Sequence, residues 1–272
     1  MKYNKGIILI LFIFFKFPLS AQQLDTIHVK EFALELVKVE GGTFTRGCDD
    51  TSKACLPCNR GIQQVQLSTF YISKYEVTQE LYQAVMGKNP SYDKKKSSPV
   101  TCLDWYEVQQ FIDSLNVITT LHFRMPTEAQ WEFAARGGNF HEDFLYSGSN
   151  NIEEVSWYTY SYSEITNETV LFQWPNKVGT KKPNALGIYD MTGNVAEWCS
   201  DWYDDKCYGK AKMLIDPTGP KTGVEKVLRG GSFGEDEIRC RVTKRNACIP
   251  NYKANYNIDK GIRLVISDLY KK

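Results

Sequence analysis

Apolar and polar positions alternate along Leu36 to Gly47, LVKVEGGTFTRG, around a Gly-Gly pair, and this period of two predicts a β-hairpin. VQLSTFYISKYEVT, residues 65–78, carries the alternation on, and then the period lengthens. Thr78 stands where a helix N-cap belongs, which predicts a helix through Met86 stopped by Gly87. A second helix is predicted from DWYEVQQFIDSLN. Asp104 and Glu107 have capping-box spacing there, and Val108, Phe111, Ile112 and Leu115 share one face. The third, in RMPTEAQWEFAARGG, has Thr127 as cap, Gln130 as its reciprocal partner and Gly137 as stop. From Asn139 to Pro183 no period is sustained, and Tyr, Ser, Asn and Glu predominate, so irregular surface structure is expected. KGIRLVIS, residues 260–267, is the predicted last strand.

The first residues follow a different pattern. Lys2 and Lys5 precede an unbroken apolar run from Ile7 to Phe15, and Ser20-Ala21 supplies the small residues of a cleavage site. This is the arrangement of a secretory signal peptide, and the run is too short to span a bilayer, which takes roughly 20 apolar residues. The expected division is a signal peptide over residues 1–21, an N-terminal extension over 22–35 and a single domain over 36–272. No cysteine lies at the cleavage site to carry a lipid, so the expected location is secreted or periplasmic, without a membrane span.

Charge and cysteine content refine this. Without Lys2, Lys5 and Lys16 the formal charge moves from +1 to about −2, which gives no reason to expect a nucleic-acid partner. All eight cysteines, Cys48, Cys55, Cys58, Cys102, Cys199, Cys207, Cys240 and Cys248, follow the leader, into a compartment that permits disulfides. Cys55-Leu-Pro-Cys58 lacks the second pair of a zinc knuckle and the strand and helix of a redox motif. A local bridge from Cys48 to Cys55 or Cys58 is expected instead.

Five stretches in order, GGTFTRG, YEVTQELYQAVMGKNPS, RMPTEAQWEFAARGG, GIYDMTGNVAEWCSDWY and LRGGSF…CRVTKRN…GIRLV, resemble the formylglycine-generating enzyme family, also called the sulfatase-modifying factor family. The resemblance runs from about Leu36 to the end. It implies an α+β, C-type-lectin-like fold of low regular secondary-structure content, often supported by calcium.

The family's catalysts convert a sulfatase cysteine to formylglycine with copper(I) held by two cysteines, three and eight residues after the Ser of Gly-Gly-Ser-aromatic. Counted from Ser232, these positions are Glu235 and Cys240. A carboxylate is a hard ligand poorly matched to copper(I), and it offers no thiol exchange to the substrate. Cys248 does not have the spacing to replace the missing sulfur, and Asp259 stands where the catalysts have Asn. If the chain were active, Ser232 and Cys240 would be its catalytic residues. A three-histidine iron site, as in the sulfoxide-synthase branch, is not expected from the scattered His28, His122 and His141. Cys240 is expected in a disulfide with Cys199. Asp190, Gly193, Val195 and Glu197 match one family calcium loop and offer oxygen donors, while Asn151 and Ile152 match a second. The expected function is a secreted pseudoenzyme that binds an extracytoplasmic protein or glycan or serves surface assembly. The alternative is a copper-dependent oxidase acting on a sulfatase.

Overall fold

The computed structural model describes residues 24–48, 61–140, 143–159, 174–206, 212–252 and 257–267. Short strands form three sheets around three capped helices. β1 (Leu24–Val29) and β2 (Phe32–Val39) are an antiparallel hairpin turned at Lys30. β2 continues onto β5 (Phe70–Ser73), and β5 onto β11 (Val265–Ile266), giving the order β1-β2-β5-β11. Residues 24–35, within the segment expected as an extension, therefore contribute β1 and the first half of β2 to this sheet, and the boundary at Leu36 falls inside β2.

β3 (Gly42–Cys48) does not fold back on β2 as the alternation predicts. It pairs with β4 (Gly61–Leu67), which in turn pairs with the short parallel strand β7 (Leu214–Ile215). The Gly-Gly pair carries the chain from one sheet to the next instead of closing a hairpin. A Cβ on Gly41 would stand 2.6 Å from the Leu67 carbonyl oxygen, so only glycine permits the close passage under β4. The predicted last strand also divides. β10 (Lys260–Gly261) runs parallel to β6 (Ala196–Trp202), whereas β11 joins β5. The third sheet has the order β10-β6-β8-β9, with β8 at Lys226–Arg229 and β9 at Asn246–Cys248.

The helices follow their local signals. α1 (Gln79–Met86) is capped by Thr78, which accepts from the Leu81 N–H, and ends at left-handed Gly87. α2 (Trp105–Thr119) has the complete Asp104–Glu107 capping box and buries Val108, Phe111, Ile112 and Leu115 among Trp198, Leu228 and Leu264. α3 (Glu128–Ala135) has the Thr127–Gln130 box and is buried along its whole length, its charged residues included. A single-turn α4 (Ile152–Val155) lies in the stretch expected to be irregular.

The buried charges of α3 tie distant strands together. Glu128 accepts from Arg245 at 2.6 and 2.8 Å, and Glu132 accepts from Arg229 at 2.6 Å and from the Gly47 N–H at 2.9 Å. Buried charges are retained when paired and fully hydrogen-bonded, and here the pairing links β3, α3 and β8. A second such centre is Arg263, whose guanidinium holds Glu197 of β6 and donates to the Ser73 and Tyr189 carbonyls, each at 2.8 Å. No helix among the described residues is long and apolar enough to cross a membrane.

Candidate functional site

β8 ends at Arg229, fixed by Glu132 and stacked on Trp131 at 5.0 Å. The chain then turns through Gly230 and Gly231, both at positive φ, into the loop that contains Ser232, Glu235 and Cys240. Backbone bonds hold the loop. Phe233 N–H donates to Asn194 O (2.8 Å), Glu235 O accepts from Thr159 N–H (3.0 Å), and Cys240 N–H donates to Asp236 O (3.2 Å).

Cys240 is fully buried among Tyr146, Ile152, Val155 and Tyr158, and its thiol lies 3.8 Å from the Ser232 carbonyl oxygen as a weak donor. Burial raises the thiol's pKa, and the Glu235 and Asp236 carboxylates raise it further. Burial first, then Asp259, raises Glu235 as well. One Glu235 oxygen lies 3.4 Å from the Asn246 side-chain amide and 3.7 Å from Arg239, while the other, like the Ser232 hydroxyl, is buried with no hydrogen-bond partner. The three residues that the sequence singles out do come together, and they form a neutral, closed thiol beside a carboxyl group.

The expected Cys199–Cys240 disulfide is not formed, and both cysteines are free. Cys199 points from β6 into the cluster of Trp131, Ala134 and Val227, whereas Cys240 belongs to the separate cluster around Tyr158. Cys48 is disulfide-bonded, but Cys55 and Cys58 lie outside the described residues. Cys248 is free on β9 and packs against the α2 core. In alkylation of the unreduced native protein, the peptides carrying half-buried Cys102 and Cys248 should label before those carrying Cys199 and Cys240. Rapid labelling of Cys240 would contradict its burial.

The side chains expected to hold calcium have protein partners. Glu197 is saturated by Arg263 at 2.8 and 3.0 Å and by the Trp131 indole N–H at 2.6 Å. One Asp190 oxygen accepts from the Gly179 N–H at 2.7 Å, and burial pushes its carboxyl up to about 6. The N–H of Val195 and the amide of Asn194 are both donated to Glu76, and the Asn151 side chain accepts from Glu153 N–H at the start of α4, with Ile152 buried behind it. No group of three or more His, Cys, Asp or Glu side chains among the described residues converges as a metal site would. Arg263 and Trp131 take up both oxygens of Glu197, and no role is derived from the ion.

Sequence reasoning missed Arg263, Glu76 and the Glu128–Arg245 and Glu132–Arg229 pairs. The available signal was two glutamates at i and i+4 in a helix whose other positions, the capping-box Gln130 apart, are apolar or small, which marks them as paired inside a core.

Three short-stranded sheets around capped, buried helices, with a Gly-Gly-Ser loop packed beside Asn194, define a formylglycine-generating-enzyme-like fold. The sulfatase-modifying factor enzyme 1-like domain model matches residues 24–268, and the chain belongs to that family. It is 36% identical over 213 residues to a Paenibacillus barcinonensis protein named chaperone protein LppX, covering 62% of this chain and 72% of the relative. It is 25% identical over 288 residues to the formylglycine-generating enzyme of Thermomonospora curvata, covering 83% and 92%. Treponema denticola variable protein 1 superposes with a TM-score of 0.77 at 29% identity, covering 90% of this chain and 99% of the other. Chlamydia pneumoniae serine/threonine-protein kinase pkn1 is 30% identical, but the match takes in only 35% of its length.

Proposed function

We propose that this chain is an extracytoplasmic domain of the sulfatase-modifying-factor type that binds a protein or glycan partner and has lost the copper oxidase chemistry. The observation that carries the reading is the site's single sulfur. Copper(I) is gripped by thiolates, and Cys240 is buried, its thiol pushed up by burial and by the Glu235 carboxyl, while Glu235 holds the sequence position of the second sulfur. The rest of the framework is intact: Arg229, Trp131, Glu197 and Arg263 keep their bonds. Retained packing with a lost ligand is the pattern expected when the surface, not the chemistry, is in use. The relative named as a chaperone supports a protein partner. The leader-like residues 1–21 support export, though they lie outside the described residues.

The test is to incubate the purified protein with copper(I), oxygen and a Cys-x-Pro-x-Arg peptide and to weigh the peptide. The expected result is no aldehyde, and its formation would establish the oxidase instead. In parallel, Glu235→Cys should raise copper(I) affinity by an order of magnitude or more, about 1.4 kcal/mol per tenfold, in competition with a chromogenic chelator. No gain would mean that the missing sulfur is not what keeps copper out.

A further inference from the structure

A cavity of about 600 Å³ opens between the turn from β4 to β5, the start of α3 and the segment after β7. It shares no lining residue with the Gly230–Cys240 loop. Two opposite charges look into it. Arg124 is anchored through its backbone by a reciprocal pair of 2.9 Å bonds with Val265. Its guanidinium donates to Met125 O (3.1 Å), the Gln130 side-chain oxygen (2.8 Å) and the Ser267 hydroxyl (3.3 Å). Asp216 is held by Ser68, whose backbone N–H and hydroxyl donate to its two oxygens at 2.8 and 2.6 Å. Each group is fixed in place and keeps spare capacity: a guanidinium has five N–H donors and a carboxylate about four lone-pair positions.

The rest of the wall carries the hydroxyls of Thr69, Ser200 and Thr218. Thr69 already bonds the Gly41 N–H and Glu40, and Ser200 donates to Asp201, so these two offer a guest an acceptor rather than a donor. An anionic guest reaching Arg124 would bring its charge towards Asp216, and a cationic guest would meet the reverse conflict. A guest whose groups both donate and accept satisfies Arg124, Asp216 and the hydroxyls together. Volumes of roughly 300–1,000 Å³ are usual for small-molecule sites.

We propose that this cavity binds a neutral saccharide of one or two rings. The site stands whether or not the Cys240 loop is catalytic, so its test and the peptide assay fail independently. Calorimetric titration of the full chain with maltose, cellobiose and lactose should give saturable binding in the millimolar range or tighter for at least one. Thr218→Trp and Ser267→Trp, both at exposed positions on the wall, should each weaken that binding at least about tenfold without changing the melting temperature. Glycylglycine and inorganic phosphate serve as charged probes. Absence of saturable disaccharide binding, binding that both tryptophan variants leave intact, or binding of the dipeptide or phosphate alone would each overturn the proposal.

Discussion

Replacing Arg263 with methionine is expected to cost about 3–5 kcal/mol, the range for removing one partner of a buried pair. At this domain size that corresponds to a fall in Tm of on the order of 10 °C. The side chain is fully buried and serves three elements at once: Glu197 on β6, Ser73 at the end of β5 and Tyr189 before β6. It is also the cation nearest to a group of buried carboxylates. Burial, then Asp190, then Glu197 push the Glu76 carboxyl well above its ordinary range, and Arg263 opposes that shift. Without the guanidinium, Glu197 would keep only the Trp131 N–H and would face Glu76 and Asp190 uncompensated. Glu197→Gln combined with Arg263→Met removes the stranded charge while leaving an acceptor for Trp131, and should recover part of the loss. Thermal melts of the two variants check this. Equal melting temperatures would show that the loss comes from the Ser73 and Tyr189 contacts instead.

What the sequence revealed divides along the range of the interactions. The starts of the three helices were legible to the residue because Thr78, Asp104 and Thr127 act on N–H groups three residues away, so the cause and the effect share one short stretch. The ends of the second and third were not, since α2 runs on to Thr119 and α3 stops at Ala135, two residues short of Gly137. The strands were legible as strands but not in their pairing. LVKVEGGTFTRG contains the same alternation whether β2 and β3 pair with each other or with β5 and β4, and what decides is the passage of Gly41 beneath Leu67. KGIRLVIS fails for the same reason: Gly261 answers to Glu197 and Val265 to Ile72, in two different sheets. At the candidate site, the Ser232, Glu235 and Cys240 positions were readable from the family resemblance, by counting from its Gly-Gly-Ser motif. The partner of Cys240 was not, because a lone thiol and a bridged one leave the same letter, and burial among Tyr146 and Tyr158 is a property of the fold.

Gly231→Ala should destabilise the domain severely, by about 1–3 kcal/mol for the left-handed backbone and a further 1–3 kcal/mol for overpacking. Gly231 has φ +72°, and a Cβ there would stand 2.7 Å from the Cys240 sulfur, 2.8 Å from its Cα and 2.9 Å from the Arg239 carbonyl oxygen. Two of these three atoms are backbone, so relief requires moving the whole Arg239–Cys240 segment. That segment is pinned by the bonds of Arg239 and Cys240 N–H to Asp236 O. Gly234→Ala in the same loop is the control, since nothing lies within 4 Å of its Cβ position. Melting and alkylation should separate the two. Gly234→Ala should melt within a degree or two of the parent, about the effect of a surface substitution. Gly231→Ala should melt far lower and, where it remains folded, expose the Cys240 thiol to reagent. If both variants melt together with Cys240 still protected, the close contact of Gly231 with Cys240 is not what seals the sulfur away from solvent.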